Sequence, residues 1–195
     1  MTSDLFTSTG ERKYLTEAER EAFIAAAIQH ERGEVRTFGL VLAYTGCRIS
    51  EALELTPRRI DRAAQAITFR TLKQRRQDVY RAVPVPEGLL DDLELVHKLR
   101  RALRGRKGQP DQRLWSWGRT QAHKHIKALM IEAGITGPHA SAKGLRHGFG
   151  VQAASKTRQP RAVQKWLGHR DLNTTAIYMD VQGEEERELA ARLWE

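Results

Sequence analysis

The sequence predicts a mainly α-helical fold with a small antiparallel β-sheet, an α+β domain. Apolar residues recur at helical spacing over most of the chain, whereas only residues 67–72 and 79–85 alternate with a period of two. A chain of 195 residues that is 40% hydrophobic and 29% charged is typical of a globular protein with one core. We therefore expect a single domain over residues 14–195, preceded by a flexible tail over residues 1–13 that has no periodic pattern.

The first three helices are indicated by their start and stop signals. Thr16 is followed three residues later by Glu19, a pair whose side chains can each bind the other's backbone N–H, which predicts a helix start. A more buried helix is predicted over residues 35–44 and ends at the following Thr-Gly pair. A third runs through residues 49–53 and ends before Pro57, because the residue before a proline is pushed out of the α region.

The other elements follow in chain order. The two alternating segments, separated by a polar stretch over residues 73–78, predict a β-hairpin. Helical spacing returns over residues 89–99, and a basic loop follows over residues 100–113. Another helix ends at Gly134, and two or three short helices fill residues 144–194. Three tryptophans are expected to be core or interface residues rather than base-stacking ones: Trp115, Trp117 and Trp166.

Net charge and cysteine content limit the class of protein. Thirty-three Lys and Arg residues against 24 Asp and Glu give a net charge of +9, which is typical of nucleic-acid-binding proteins and also of proteins with a solvated cationic face. Cys47, the single cysteine, lies among apolar residues and is expected to be a buried thiol without redox function. No apolar run approaches the roughly 20 residues of a membrane span, and the first residues lack a signal peptide's apolar core. We expect a cytoplasmic protein without membrane contact.

Several enzyme classes lack their signatures in this sequence. The seven histidines form no HExxH motif, and His123 and His125 are two residues apart on a predicted helix, so they point to different sides. Paired cysteines, a GxSxG elbow and a GxxxxGK[ST] loop are all absent from the sequence. We therefore expect no metal site, no cofactor, and neither ATPase nor acyl-hydrolase chemistry.

A set of cationic residues that ends in one tyrosine is the main functional signal. Arg48 follows a glycine break in the segment TGCRISEAL, where it opens a helix whose free N–H groups could face the same anion. Lys143 and Arg146 are three residues apart in KGLRH and share a helical face. His169 completes a Leu-Gly-His segment, and Tyr178 follows nine residues later.

In these motifs the sequence resembles the tyrosine recombinase family, which includes phage integrases and Xer-type resolvases. The resemblance covers nearly all of the chain from about residue 14 and implies the catalytic-domain fold of that family. The catalytic residues that it implies are Arg48, Lys73, Lys143, Arg146, His169 and Tyr178. Lys143 stands where most relatives carry histidine, an accepted minority choice in the family. Two residues are expected to support the site, Glu51 by orienting Arg48 from one turn away, and His147 as the last residue of KGLRH.

The resemblance implies attack by Tyr178 on a DNA phosphodiester, which gives a 3′-phosphotyrosyl intermediate and a free 5′ hydroxyl. Fixed cations are needed because a free tyrosine has a pKa near 10 and because the attack builds negative charge on the phosphate oxygens. The two arginines would bind the phosphate, and Lys73 would protonate the departing 5′ oxygen as general acid. His169 would donate a hydrogen bond to the phosphate or assist deprotonation of Tyr178. Bond energy is stored in the intermediate, so rejoining needs neither ATP nor metal.

The partner that these features imply is double-stranded DNA. Five basic residues in two loops are candidates for contacts with the DNA backbone: Arg75, Arg76, Arg104, Arg106 and Lys107. An apolar stripe over residues 184–194 predicts docking on a neighbouring subunit in a synaptic homotetramer, although the same stripe could fold back on its own chain. The family's separate N-terminal core-binding domain has no counterpart in these residues, so an accessory DNA-binding domain or protein is a further expected partner. A prokaryotic or phage origin and association with the nucleoid are also expected.

Simpler interpretations compete with this one. Taken singly, Tyr178 is more often a packed helix residue, Arg48 a surface arginine and Lys73 one charge in a solvated loop. His139 could substitute for the missing histidine at position 143, but a solvated loop histidine is the better interpretation. Two other functions share the pattern: a type IB topoisomerase-like nicking and closing enzyme, and a non-catalytic DNA-binding regulatory module. A binding module has no need for Tyr178, which favours the enzyme.

Overall fold

A computed structural model describes residues 5–71, 79–104, 108–169 and 173–179, without the side chains of residues 173, 174 and 179. Within these ranges the chain is mainly helical with one three-stranded antiparallel sheet, which confirms the predicted fold class. The helices are α1 Glu17–Gln29, α2 Gly33–Thr45, α3 Ile49–Ala52, α4 Glu87–His97, α5 Leu99–Leu103, α6 Arg119–Glu132, α7 Ala142–Thr157, α8 Pro160–Leu167 and α9 Asn173–Met179. The strands are β1 Ile60–Asp61, β2 Ala66–Arg70 and β3 Tyr80–Pro84.

Helix α1 begins at the predicted capping box. The Glu19 backbone N–H donates to Thr16 Oγ1 at 3.2 Å, and the Thr16 backbone N–H donates to Glu19 Oε2 at 2.9 Å. The Glu19 carboxylate also accepts from Arg12 and lies 3.1 Å from His139 Nε2. The expectation of a solvated loop histidine at position 139 is therefore wrong, because its partner is more than a hundred residues away in the sequence and not visible from local pattern.

The segment before α1 is packed rather than free. Leu5 is fully buried, the Lys13 backbone N–H donates to the Leu5 carbonyl at 2.7 Å, and Phe6 pairs with Arg12 in an isolated antiparallel bridge. The flexible tail predicted over residues 1–13 is therefore wrong for residues 5–13. A turn this short has no periodicity to read, and the apolar partners of Leu5 lie on α7 to α9, far along the chain.

The sheet carries the predicted hairpin and one further strand. Strands β2 and β3 pair with Ile67 opposite Val83 and Phe69 opposite Arg81. Strand β1 adds two residues on the other side of β2. It is too short for a period-two pattern, so the sequence did not predict it. On β3 the buried positions are Arg81 and Val83, so a charged residue faces the protein interior.

Helix α2 forms the centre of the main core. Nine of its residues are buried, and it packs against α1, α4, α6 and α7. Trp115 is 1% exposed and donates from Nε1 to the Glu34 carbonyl at 2.9 Å. Trp117 and Trp166 are half-buried against the same core, which agrees with the expectation that the tryptophans pack inside. Cys47 is also buried, and burial raises the pKa of its thiol to about 12, in keeping with a structural role.

The basic stretch after α4 is not entirely a loop. Lys98 adopts a left-handed conformation with φ of 52° that ends α4 and starts the short helix α5. The loop predicted over residues 100–113 is therefore helical up to Leu103. Leu99, which is 2% exposed, anchors that turn in the core. Across the described ranges, the helices are too short or too polar to span a membrane.

His97 makes the stability of this core depend on pH. Its Nε2 lies 3.0 Å from Thr37 Oγ1, its ring packs edge-on against Trp115, and burial lowers its pKa to about 4 from the ordinary 6.5. The unfolded chain therefore binds more protons than the folded chain between pH 6.5 and 4. Stability is fully present above pH 6.5 and is lost as the pH falls through this window.

We expect His97 to account for a loss of about 1–2 kcal/mol of unfolding free energy between pH 7 and pH 5. Urea denaturation at both pH values measures it in the wild type and in His97→Gln, which should be less sensitive to this change in pH. His123→Gln, at an exposed position on α6, is the matched control and should keep the wild-type difference. An equal pH dependence in His97→Gln and the wild type would contradict the assignment.

Candidate active site

Arg48 and Glu51 lie at the start of α3, directly after the left-handed Gly46 that ends α2. The Arg48 guanidinium donates from Nη1 to Glu51 Oε1 at 2.9 Å, and the Arg48 backbone N–H donates to Glu51 Oε2 at 2.8 Å. The Arg48 side chain is 25% exposed, so its other N–H groups can reach a ligand. Glu51 accepts from one of the N–H groups at the helix start that were expected to face an anion, and α3 is only four residues long. The Arg48 guanidinium is therefore a better candidate for an anion contact than the start of this helix.

Arg146 lies on α7 and is buried. Its Nη1 donates to the Gly46 carbonyl at 2.6 Å, and its Nη2 donates to the Leu167 carbonyl at 2.7 Å. These carbonyls precede Arg48 and His169 by two residues each, so one guanidinium joins the two loops that carry them. Burial, and then repulsion from Arg48, lower the pKa of Arg146 to about 10, which leaves it charged at neutral pH.

Lys143 lies in the first turn of α7, three residues before Arg146. Ser141 caps this helix, its hydroxyl accepting from the Gly144 backbone N–H at 3.1 Å. The Lys143 side chain is exposed, whereas Arg146 is buried. Among the described residues no hydrogen bond or ion pair of Lys143 is found, so its ammonium group is available to a ligand.

His169 follows the left-handed Gly168 that ends α8. Its Nδ1 lies 2.9 Å from the Thr175 hydroxyl oxygen, and Thr175 is fully buried on α9. Burial, and then the charges of Arg146 and Arg48, lower the pKa of His169 to about 4. The imidazole is therefore neutral at pH 7. When Thr175 donates to Nδ1, the remaining proton is on Nε2, where it can be donated to a ligand.

Tyr178 lies on α9, and its side chain is 3% exposed. Its hydroxyl oxygen is 2.8 Å from His147 Nδ1. Its ring is nearly parallel to the His169 ring, with centroids 5.9 Å apart and an interplanar angle of 17°. The ring also covers Gly150, where an added Cβ would lie 2.8 Å from the phenol carbon Cζ. The fold therefore holds this phenol against α7 between two imidazoles.

Arg81 is the buried cation that sequence reasoning missed. Its guanidinium forms a bidentate ion pair with Glu51, with Nη2 to Oε2 at 2.6 Å and Nη1 to Oε1 at 3.2 Å. In the sequence Arg81 shares the period-two phase of Val79, Val83 and Val85, which is the apolar face of the predicted strand. This phase was the available signal, and the structure places Arg81 opposite the buried Phe69.

The described residues do not include every predicted site residue. Lys73, Arg75, Arg76, Arg106 and Lys107 lie outside the described ranges. Arg104 is described and exposed at the end of α5. The structure thus brings together Arg48, Glu51, Arg146, His147, His169 and Tyr178, which arise from three separate parts of the chain. Two guanidinium groups, a neutral imidazole and a buried phenol can bind a phosphate and attack it.

Comparison with known proteins identifies the family. The model of the phage integrase family matches residues 13–185. The chain belongs to the phage integrase family. Among curated tyrosine recombinases, XerD of Vibrio vulnificus is 31% identical over 179 residues, which cover 88% of this chain and 57% of that protein. The type 1 fimbriae regulatory protein FimE of Escherichia coli K12 is 31% identical over 178 residues, 86% of this chain and 85% of FimE.

Solved structures of recombinases and of an integrase share the fold. XerA recombinase aligns with a TM-score of 0.71 and 26% identity over 92% of this chain and 64% of that chain. XerH recombinase in a post-cleavage complex with a palindromic difH substrate gives a TM-score of 0.78 at 23% identity, over 93% of this chain and 53% of XerH. The bacteriophage HP1 integrase catalytic domain gives 0.63 at 21% identity. The chain thus spans a little over half the length of XerD and about two thirds of XerA.

Gly150 leaves the space that the Tyr178 ring occupies, so its substitution has a predictable result. The Cβ of Gly150→Ala would lie within 2.9 Å of three ring carbons. The ring must shift, and overpacking of this kind costs about 1–3 kcal/mol, more than alanine gains over glycine in a helix. We expect reduced stability and loss of the Tyr178–His147 hydrogen bond.

Chemical denaturation and the Tyr178 phenol NMR signals measure both effects. Gly88→Ala is the matched control, because Gly88 is also helical but no atom lies within 4 Å of its added Cβ. This control should be as stable as the wild type or more so. A Gly150→Ala protein with wild-type stability and unchanged Tyr178 signals would contradict the packing argument.

Proposed function

We propose that this chain is the catalytic domain of a site-specific DNA recombinase that cleaves and rejoins DNA through a 3′-phosphotyrosyl bond at Tyr178. The observation that carries the proposal is that Arg146 joins the loops of Arg48 and His169, and that the His169 ring lies beside a buried phenol, in a member of the phage integrase family. Each residue type matches one requirement of phosphoryl transfer: charge neutralisation, hydrogen-bond donation and a nucleophile.

When the ring proton of His147 is on Nε2, its Nδ1 can accept the proton of the Tyr178 hydroxyl. His147 Nδ1 lies 2.8 Å from the phenol oxygen, within the distance required of a general base. In our proposal the phenol oxygen attacks phosphorus as its proton passes to Nδ1, and the bond from phosphorus to the 5′ oxygen breaks. His169, neutral at pH 7, then donates a hydrogen bond to the phosphate in preference to removing the proton.

The two arginines stabilise the charge that develops on the phosphate. Arg48 and Arg146 each keep N–H groups beyond those used in the contacts with Glu51, Gly46 and Leu167. Arg146 is buried and Arg48 is half-buried, and partial exclusion of water strengthens such interactions. The exposed Lys143 adds a further positive charge at the position where most relatives carry histidine.

Lys73 completes the proposed cycle as the general acid. It would donate a proton to the 5′ oxygen as that group leaves, so that a free 5′ hydroxyl is released. In the reverse step a 5′ hydroxyl, from the same or another strand, attacks the phosphotyrosyl bond. Tyr178 is regenerated, and no metal or ATP enters the balance.

DNA binding and assembly extend the proposal beyond the active site. We propose that the basic residues Arg75, Arg76, Arg104, Arg106 and Lys107 contact the DNA backbone, and that residues 184–194 dock on a neighbouring subunit in a tetramer. XerH and the Tn1549 integrase were solved in complexes with DNA, which supports DNA as the partner. An accessory DNA-binding domain or protein would increase the affinity for DNA. The proposed location is the nucleoid in a bacterial cytoplasm.

A capture experiment tests this function and finds the DNA site in the same step. The protein is incubated with a pool of nicked duplexes, randomised on both sides of the nick, whose cleavage releases a short 5′-hydroxyl fragment and prevents rejoining. Covalent complexes are isolated in denaturant, and the attached DNA is sequenced. The expected result is a phosphotyrosyl adduct on the 3′ phosphate at a defined sequence, and an adduct on a 5′ phosphate would contradict the proposed chemistry.

An assay on a plasmid with two copies of the captured site then distinguishes a recombinase, a topoisomerase-like enzyme and a binding module. Recombinant circles or inverted segments support the recombinase. Relaxation of supercoils without recombinant products would indicate topoisomerase-like nicking and closing. DNA binding without any covalent adduct, across the whole pool, would indicate a non-catalytic binding module.

A further inference from the structure

Arg81 has a denser set of contacts than other cations of the described site. Its side chain is 4% exposed. Besides the ion pair with Glu51, Nε donates to the Trp166 carbonyl at 2.8 Å, and Nη1 donates to the Thr71 hydroxyl at 3.2 Å. All three guanidinium nitrogens are therefore engaged, and the group lies over the Phe69 ring at 5.2 Å.

The partners of Arg81 are adjacent to proposed catalytic residues on separate segments. Glu51 Oε1 accepts from both Arg81 and Arg48, so the two guanidinium groups share one carboxylate. Trp166 precedes His169 by three residues, and an added Cβ at Gly168 would lie 3.0 Å from Arg81 Cδ. Arg81 thus fixes the end of α8 against the start of α3.

The sheet adds a third segment to the junction that Arg81 forms between the end of α8 and the start of α3. Thr71 is the last described residue of the strand segment that leads to Lys73, and its backbone N–H donates to the Val79 carbonyl at 2.8 Å. The hydroxyl of Thr71 is the group that accepts from Arg81. The base of the hairpin is therefore tied to the carboxylate that holds Arg48.

The charge balance of the junction depends on Arg81. The Glu51 side chain is fully buried, and burial alone raises the pKa of its carboxyl group. The hydrogen bond and charge of Arg81, together with Arg48, offset this effect and hold the pKa of Glu51 below its usual range. Without Arg81 the carboxylate would have only Arg48, which it would draw away from a phosphate.

We propose that Arg81 is a positioning residue for the proposed cleavage reaction, setting Arg48, His169 and the base of the Lys73 hairpin in one geometry. This inference rests on the proposed function. Buried ion pairs are a poor source of stability, since apolar replacement of both partners is often neutral or stabilising. The contacts of Arg81 are therefore better explained by the alignment of three catalytic segments.

The test compares Arg81→Met with the double variant Arg81→Met/Glu51→Gln. The single variant leaves a buried carboxylate without its main partner, so it loses stability as well as alignment. In the double variant the neutral amide of residue 51 still accepts from Arg48, which removes the unpaired charge. Arg20→Met is the matched control, because Arg20 is also buried and bonded to a backbone carbonyl, that of Ala43, outside the site.

Two measurements are made at a temperature where urea denaturation shows every variant to be folded. Single-turnover cleavage at saturating DNA should fall about 10- to 100-fold in both Arg81 variants, with DNA affinity unchanged, since a misplacement of about 1 Å can cost 10²-fold. Arg20→Met should cleave at the wild-type rate. A double variant that is folded and cleaves at the wild-type rate overturns the proposal.

The second measurement does not require activity. Burial is the main reason that the pKa of His169 is lowered to about 4, and the charge of Arg81 is a smaller cause than burial, Arg146 or Arg48, so the titration of His169 by NMR reports mainly how deeply the ring is buried. In both Arg81 variants the pKa of His169 should rise toward its ordinary value, and in Arg20→Met it should not change. An unchanged His169 titration in the Arg81 variants overturns the positioning role, whether or not the wild type forms a DNA adduct. Absence of an adduct from the wild type would contradict only the proposed function.

Discussion

Tyr178→Phe is expected to abolish the covalent DNA adduct completely. The substitution removes only the oxygen that would bond to phosphorus, and the ring can keep its place over Gly150 and beside His169. Loss of the hydrogen bond should cost about 1–3 kcal/mol of stability, because it removes a partner of the buried His147 Nδ1. Denaturing gel electrophoresis of the wild type and variant with a captured, nicked DNA substrate measures the adduct.

Tyr44→Phe is the matched control for this prediction. Tyr44 is a half-buried tyrosine at the end of α2, where its ring lies 5.9 Å from the Arg20 guanidinium. This variant should form the adduct at the wild-type level. Equal adduct from Tyr178→Phe and the wild type would remove Tyr178 as the nucleophile and with it the proposed mechanism.

Arg146→Lys is expected to reduce the rate of adduct formation by about 10²- to 10³-fold, the usual cost of removing one donor to a developing oxyanion. Lysine keeps the charge but cannot replace the planar guanidinium. It cannot reach the Gly46 and Leu167 carbonyls while also binding a phosphate in bidentate fashion. The loops that carry Arg48 and His169 would also lose their common partner.

Single-turnover kinetics at saturating DNA measure this effect, and urea denaturation establishes that the variant is folded. Arg20→Lys provides the control, since Arg20 is a buried arginine that binds a backbone carbonyl outside the site. It should lose stability but retain the cleavage rate. A loss below tenfold in Arg146→Lys would show that this guanidinium does not stabilise the transition state.

Local sequence patterns predicted a large part of the fold. The capping box at Thr16 and Glu19, the period-two hairpin and the helix stops depend on interactions between residues a few positions apart. The family motifs around Arg48, Arg146, His169 and Tyr178 are equally local, which is why their order along the chain indicated the family. The packed segment at residues 5–13, strand β1 and helix α5 were missed, because they are too short for a period and depend on distant partners.

In the candidate site, too, some features were predicted from local sequence and others depend on tertiary contacts. The sequence alone determined the α+β fold class, the family, and the residue types that can bind and attack a phosphate. Only the tertiary structure decided that Tyr178 contacts His147, that Arg146 joins the Gly46 and Leu167 carbonyls, and that Arg81 shares Glu51 with Arg48. The physical reason is sequence separation: these contacts join residues 21 to 100 positions apart, and burial of their charged and polar groups is set by the whole core.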